Sequence, residues 1–222
     1  FLPGFQLPEN ITPDNSIETV IRDHSIILMV TPTPTFRDIM SKLEPFIQPE
    51  SLIINASKGI ENDSLSTCHK IIKDSLNIPC DIATISGPTF AKEVAAKVPS
   101  ALLACSESEN TAKRVQGIFS SNYLKVFTST DILGVEIGGA LKNVIAIATG
   151  ISDGLKLGFN TRAALITRGL VEITRIGTEL GAKPETFYGL SGLGDLVLTC
   201  TGNLSRNREL GIQLGLFLVV SL

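Results

Sequence analysis

The sequence predicts an α/β sheet followed by an all-α segment. Three observations predict it. Short apolar runs alternate with helical patterns as far as Phe127, strand-like runs cease after Thr130, and a nearly uncharged helical stretch, 132–151 (ILGVEIGGALKNVIAIATGI), opens the second half. Strands separated by helices call for crossover connections and an open sheet.

The strand candidates are 26–30, which reads as buried, then 52–55, 81–86, 101–105 and 124–127. Residues 36–43, 64–76, 90–96 and 111–119 read as the helices between them. In the second of these Leu65, Ile72 and Leu76 are expected to face inward. Beyond Thr130 the stretches 131–150, 161–180, 185–188, 193–201 and 205–214 all carry helical patterns. Two units are therefore expected, 1–130 and 131–222, joined near 128–131. Both ends look abnormal. The chain opens at Phe1 without methionine or a first strand, and 214–222 (LGLFLVVSL) reads either as a final buried strand or as a scar of truncation or frame change.

The chain has 222 residues, 43% apolar and 18% charged, enough to build a core. A net charge of -3 with no basic block argues against nucleic acid as the main partner, but not against small anions. No transmembrane span or signal peptide is read from the sequence. Cys68, Cys80, Cys105 and Cys200 show neither disulfide nor metal spacing, and all four are expected as buried thiols in a reducing, cytoplasmic compartment. Neither His24 nor His69 stands in a motif with a serine or cysteine nucleophile, which argues against a hydrolase triad. No acidic or histidine cluster points to a metal.

Lys142 is the most informative residue. It sits beside an apolar stripe (Leu133, Ile137, Leu141, Val144, Ala148, Ile151), and its neighbours one turn away are Gly138, Gly139, Ile145 and Ala146. Three of those are small, leaving the ammonium room and little cover. In an apolar recess its pKa falls toward the range useful for proton transfer, whereas a side chain that reaches water keeps an ordinary lysine.

Three further motifs carry candidate chemistry. Lys58, in Asn55-Ala56-Ser57-Lys58-Gly59, follows an apolar strand and would face the crevice at its carboxyl end. Ser86-Gly87-Pro88-Thr89-Phe90-Ala91 turns from a strand into a helix that Thr89 could cap, leaving free amides around Ala91. In the helical half, Asp195 follows a glycine turn with Thr199 on the same face. Ser205-Arg206-Asn207 opens a helix whose amides, guanidinium and side-chain amide would suit a phosphate. Each of these also reads as ordinary structure or solvated charge when taken alone. The sequence contains no G-x-G-x-x-G, with which a nucleotide-binding doubly wound sheet normally begins.

NASKG, ISGPTFAKEVA, GVEIGGALKNVIAIATGISDGL, NTRAALITRGL and GLSGLGDLVLTCTGNLSRNRELG together resemble the bacterial type of NAD(P)-dependent glycerol-3-phosphate dehydrogenase, from Phe1 to Leu214. The resemblance implies an incomplete Rossmann-like doubly wound sheet, the C-terminal part of a dinucleotide-binding domain, followed by a partial helical substrate-binding domain. It implies hydride transfer between NAD or NADP and a small phosphorylated substrate, interconverting dihydroxyacetone phosphate and sn-glycerol 3-phosphate for glycerophospholipid synthesis. It is compatible with a homodimer. By resemblance Lys142 is the proton donor and acceptor. Lys58, Gly87, Thr89, Asp195, Ser205, Arg206 and Asn207 join it around the substrate, and Lys58, Ala91 and Arg206 reach the cofactor. The physics agrees: a ketone under reduction develops an alkoxide that an ammonium stabilises and protonates. Lys58 would depress the Lys142 pKa by repulsion, and Asp195 would oppose that.

Three departures from the family are expected: the first βαβ unit with its glycine-rich loop is missing, the helical domain stops before its remaining helices and their V-x-E segment, and the chain after Leu214 does not follow the pattern. The expectation is a piece that keeps most of the substrate site and binds dinucleotide poorly. The alternative is an inactive truncated remnant with a phosphate-ligand site. A related dehydrogenase of the 6-phosphogluconate type is disfavoured, because no separate carboxylate-binding arginine is evident.

Overall fold

The computed structural model describes residues 2–220. Among them five strands, β1 (Ile26–Met29), β2 (Leu52–Asn55), β3 (Asp81–Ser86), β4 (Ser100–Cys105) and β5 (Leu124–Ser129), form one sheet in chain order. β1, β2 and β3 run parallel, β4 is antiparallel to β3, and β5 is parallel to β4. Five helices accompany them: α1 (Ile17–Arg22), α2 (Phe36–Leu43), α3 (Cys68–Ser75), α4 (Ala91–Ala95) and α5 (Glu109–Phe119). After β5 the described chain is helical: α6 (Ile132–Gly154), α7 (Gly158–Glu179), α8 (Pro184–Phe187), α9 (Asp195–Thr201) and α10 (Arg206–Val220). The expected α/β sheet followed by helices is what the chain adopts.

The sheet is covered on both faces, and the period-2 alternation of its strands shows how. Within β2, Ile53 packs against Phe36, Met40, Ile71 and Ile72 of α2 and α3. Its neighbours Leu52 and Ile54 turn the other way, to Val115 of α5 with Ala83, Leu102 and Val126. A strand buried on both faces has no polar position to offer, hence the unbroken LII run. A third core, with Ile137, Ala146, Ile173, Phe187, Leu196 and Cys200, holds the helical half together. Cys105, Ile132 and Val135 join it to the sheet.

Several expectations are corrected. β1 is an edge strand: Ile27 and Met29 face the core, while Ile26, Leu28 and Val30 are exposed. Helix α3 begins at Cys68 rather than Ser64, because the preceding residues form a turn closed by the Leu65 N–H on the Glu61 carbonyl oxygen, with Ile60 bridging to Thr67. Leu65 there has a φ of 55° and points outward, 76% exposed. Cys80 is only partly buried, unlike the other three cysteines. The segment after Leu214 is no strand. It continues α10 to Val220 with Leu214, Leu216, Phe217 and Leu218 exposed, and Ser221 and Leu222 lie outside the described residues.

Helix α6 is the axis of the second half. It is long and apolar enough to cross a membrane, but here it packs against α7, α9 and α10. Its most buried face runs through Gly134, Val135, Gly138, Gly139, Lys142, Ala146, Thr149 and Gly150. Val144, expected inside, is 62% exposed. The lysine is therefore in the middle of the buried face rather than beside it. α10 lies parallel to α6 at backbone contact. A Cβ on Gly150 would stand 2.1 Å from the Arg208 carbonyl oxygen, and one on Gly211 2.2 Å from that of Ile147. One turn further on, Gly154 and Gly215 meet in the same way.

Candidate active site

Lys142 is 7% exposed. The small residues around it make room for neighbours, and those neighbours supply cover. The Ser191 backbone crosses Gly138, where a Cβ would stand 3.1 Å from its carbonyl oxygen, and the stem of Lys58 lies over Gly139. The Lys142 Nζ donates to Asp195 Oδ1, and to Thr199 Oγ1 at 2.9 Å. That hydroxyl donates in turn to the Asp195 carbonyl oxygen at 2.6 Å, the i, i+4 relation of one helix face. The other carboxylate oxygen, Oδ2, accepts from Lys58 Nζ at 2.5 Å. Lys58 also donates to the Gly87 carbonyl oxygen at 3.3 Å.

One carboxylate thus sits between two ammoniums at the carboxyl ends of β2 and β3. The Lys142 pKa is lowered from 10.5 to about 8, first by burial and then by the positive charge of Lys58. Asp195 pulls the other way, by charge and by hydrogen bond, and is outweighed. A lysine titrating near 8 holds a proton at neutral pH and can also release it.

Each side chain is placed by local structure. Lys58 leaves the end of β2 on a turn in which the Ser57 N–H donates to Asn55 Oδ1 at 2.9 Å and Ser57 Oγ donates to the Thr31 carbonyl oxygen at 2.6 Å. Gly87 ends β3 with a φ of 155°, and a Cβ there would stand 2.9 Å from the Leu102 Cα, so only glycine lets this turn pass β4. Asp195 opens α9 after the wide π-helical turn Leu190–Gly194.

The remaining candidates lie around this centre. Thr89 does not cap a helix. Phe90 takes the cap position without a side-chain bond, and Thr89 Oγ1 reaches back to the Gly87 carbonyl oxygen at 3.4 Å. Ala91 is exposed at the start of α4. Ser205 does cap its helix, its Oγ accepting from the Arg208 N–H at 3.2 Å. Arg206 is exposed and Asn207 half-buried, both in the first turn of α10. Because α10 runs parallel to α6 with Gly211 against Gly150, one turn back brings Asn207 level with Ala146, a single turn from Lys142. Helix α10 therefore starts near the buried lysine.

Sequence reasoning missed two parts of this arrangement. Asp153, on the last turn of α6, holds both Arg162 of α7 and Arg208 of α10. Arg162 Nε meets Oδ1 at 2.8 Å and Arg208 Nε meets Oδ2 at 2.9 Å. Arginine at a helix start opposes the helix dipole. Arg208 finds its anion in Asp153, whereas Arg206 has none among the described residues. The second omission is Glu136, buried at 5% and bonded to the sheet. It was visible as the only other charge in 132–151, but nothing local names its partners.

Two family models match the chain: the N-terminus of NAD-dependent glycerol-3-phosphate dehydrogenase over residues 1–112 and its C-terminus over 131–218. The second match extends past Leu214, where the resemblance read from motifs stops. A glycerol-3-phosphate dehydrogenase [NAD(P)+] of Desulfotalea psychrophila is 53% identical over 220 residues, covering 97% of this chain and 65% of its own length. That of Syntrophobacter fumaroxidans is 49% identical over 217 residues, covering 97% and 64%. The crystal structure of glycerol-3-phosphate dehydrogenase from Coxiella burnetii superimposes with a TM-score of 0.94 at 41% identity, over 97% of this chain and 66% of that one. The chain thus spans about 65% of the length of the curated relatives it matches. With both models matched in order and the fold shared throughout, the chain belongs to the NAD-dependent glycerol-3-phosphate dehydrogenase family.

Proposed function

We propose that this chain carries the substrate side of a dehydrogenase that interconverts dihydroxyacetone phosphate and sn-glycerol 3-phosphate with NAD or NADP. The observation that carries the reading is the buried Lys142–Asp195–Lys58 arrangement at the carboxyl ends of β2 and β3. The glycerol 3-phosphate so made feeds glycerophospholipid synthesis. A cytoplasmic location belongs to the same reading, supported by four free cysteines.

The residues present fit the reacting end of a nicotinamide cofactor. Ser86 Oγ is buried without a hydrogen-bond partner among the described residues, beside Gly139 and the Lys58 stem, a polar atom that a ligand amide or hydroxyl would satisfy. Lys58, Ala91 and Arg206 would hold the cofactor from this chain. When bound, it supplies or accepts the hydride at the carbonyl carbon.

The chain's own residues do the rest. Arg206 and Asn207, with the capped start of α10, bind the phosphate and aim the three-carbon body at Lys142. Ser205, Gly87 and Thr89 complete the walls. The Lys142 ammonium stands beside the carbonyl oxygen, stabilises its growing negative charge and delivers the proton from Nζ. In the reverse direction the free amine takes the proton of the secondary hydroxyl. Asp195 and Thr199 fix the lysine's direction, and Lys58 keeps its pKa within reach of neutral pH.

The test is dihydroxyacetone phosphate-dependent NADH oxidation by the purified chain, alone and in a chimera completed with the rest of a relative. Turnover in either supports the reading. Binding of glycerol 3-phosphate with no turnover in both would favour the alternative, a remnant that keeps only a phosphate-ligand site.

A further inference from the structure

Glu136 is a buried acid with no ion-pair partner among the described residues. A buried carboxylate is costly unless hydrogen bonds replace its water. Here neutral donors from three segments converge on it. Asn55 Nδ2 at the end of β2 donates to Oε1 at 2.8 Å, and Thr84 Oγ1 on β3 donates to the same oxygen at 2.9 Å. The backbone N–H of His69, in the first turn of α3, lies 3.1 Å from both oxygens. The free amides of a helix start take the place of a cation.

The Asn55 contact leads somewhere the other two do not. With Nδ2 held by Glu136, the Asn55 side chain can present only its oxygen to the Ser57 N–H. That bond shapes the turn from which Lys58 departs, and Lys58 ends on Asp195. The other ammonium on Asp195 belongs to Lys142, on the same helix as Glu136. A helix cap alone would need His69 and no more.

We propose that Glu136 is a positioning residue that sets both ammoniums on Asp195: Lys58 through Asn55 and the Ser57 turn, and Lys142 through the placement of α6. This rests on the dehydrogenase reading for its catalytic meaning, but its test needs no turnover.

The test follows the lysines of the full 222-residue chain, labelled with carbon-13 at Cε, by NMR through a pH titration. Lys58→Arg and Lys142→Arg assign the two signals. Titratable groups around Lys142 are Asp195, Lys58 and the Cys200 thiol. Asn55→Ala changes no charge but frees the turn. Once Lys58 moves off, its repulsion is lost and the Lys142 midpoint rises from about 8, by on the order of half a unit or more. Glu136→Met produces the same rise. Glu136→Gln, whose amide oxygen still accepts from Asn55, restores most of the original midpoint. Thr84→Val, which removes a bond to Glu136 without touching the Lys58 turn, leaves it in place.

An unchanged Lys142 midpoint in folded Asn55→Ala overturns the proposal. So does an equal rise in Thr84→Val, which would mean general loosening. If Glu136→Met does not fold, Asn55→Ala decides, and if neither folds the acid is purely structural and the proposal fails. A chain that titrates as described yet shows no turnover in any form would sink the dehydrogenase reading and leave the positioning role standing.

Discussion

Lys58 and Lys142 hold the two oxygens of one carboxylate, Asp195, though 84 positions of sequence separate them. One comes from the sheet and the other from the helical half, so the charge centre exists only when the two are assembled. Burial and mutual repulsion pull the Lys142 pKa down, and the shared anion stops the fall.

The two directions of the proposed reaction should respond to pH in opposite senses. Reduction needs the ammonium, so its kcat/KM falls as pH rises through about 8. Oxidation needs the free amine and rises over the same interval. Lys142→Ala should lower turnover by roughly a hundredfold or more in both directions and remove the shared inflection. Steady-state rates in each direction across pH check this, and an inflection surviving in Lys142→Ala would reassign the acid.

Asp195→Asn should destabilise the fold by about 3 kcal/mol, since it leaves the buried Lys142 and the partly buried Lys58 without their anion. It should also lower the Lys142 pKa further, because Asp195 is what holds it up. Urea unfolding measures the first effect and the lysine titration the second.

Arg206→Ala should raise KM for the phosphorylated substrate about tenfold and change kcat little, the loss of one charge-assisted bond. Arg206 has no partner among the described residues, so the fold should keep its stability. A melting curve beside the kinetics separates the two effects.

Gly211→Ala should destabilise by about 1–3 kcal/mol, the usual range for overpacking. Its Cβ would stand 2.2 Å from the Ile147 carbonyl oxygen, and backbone cannot rotate aside. Thermal unfolding reads the loss. Gly117→Ala, where the added atom meets nothing within 4 Å, serves as the control.

The order of strands and helices was legible because the strands are short apolar runs set off by turn residues and helical patterns. The Lys142 recess was legible because small residues flank a charge within an apolar helix. Other features were set by partners far away in sequence. Helix α3 starts late because the Ile60–Thr67 bridge holds the residues before it in a turn, and its first-turn amide meets Glu136, 67 positions on. The exposed face of β1 reads as buried because Ile26, Leu28 and Val30 are as apolar as the inward residues. Val144 fits the apolar stripe by spacing, yet the face that packs is the glycine-rich one carrying Lys142.

The glycine seam between α6 and α10 has a consequence for selectivity. Where main chain rests on main chain, no rotamer can take up slack, and sliding one helix along the other means jumping a full turn of about 5.4 Å. The backbone separation between Lys142 on α6 and Arg206 at the tip of α10 is thereby a ruler cut into the main chain. In the proposed reaction a longer or shorter phosphorylated ketone would meet that fixed helix spacing, with only the Lys142 and Arg206 side chains left to adjust to it.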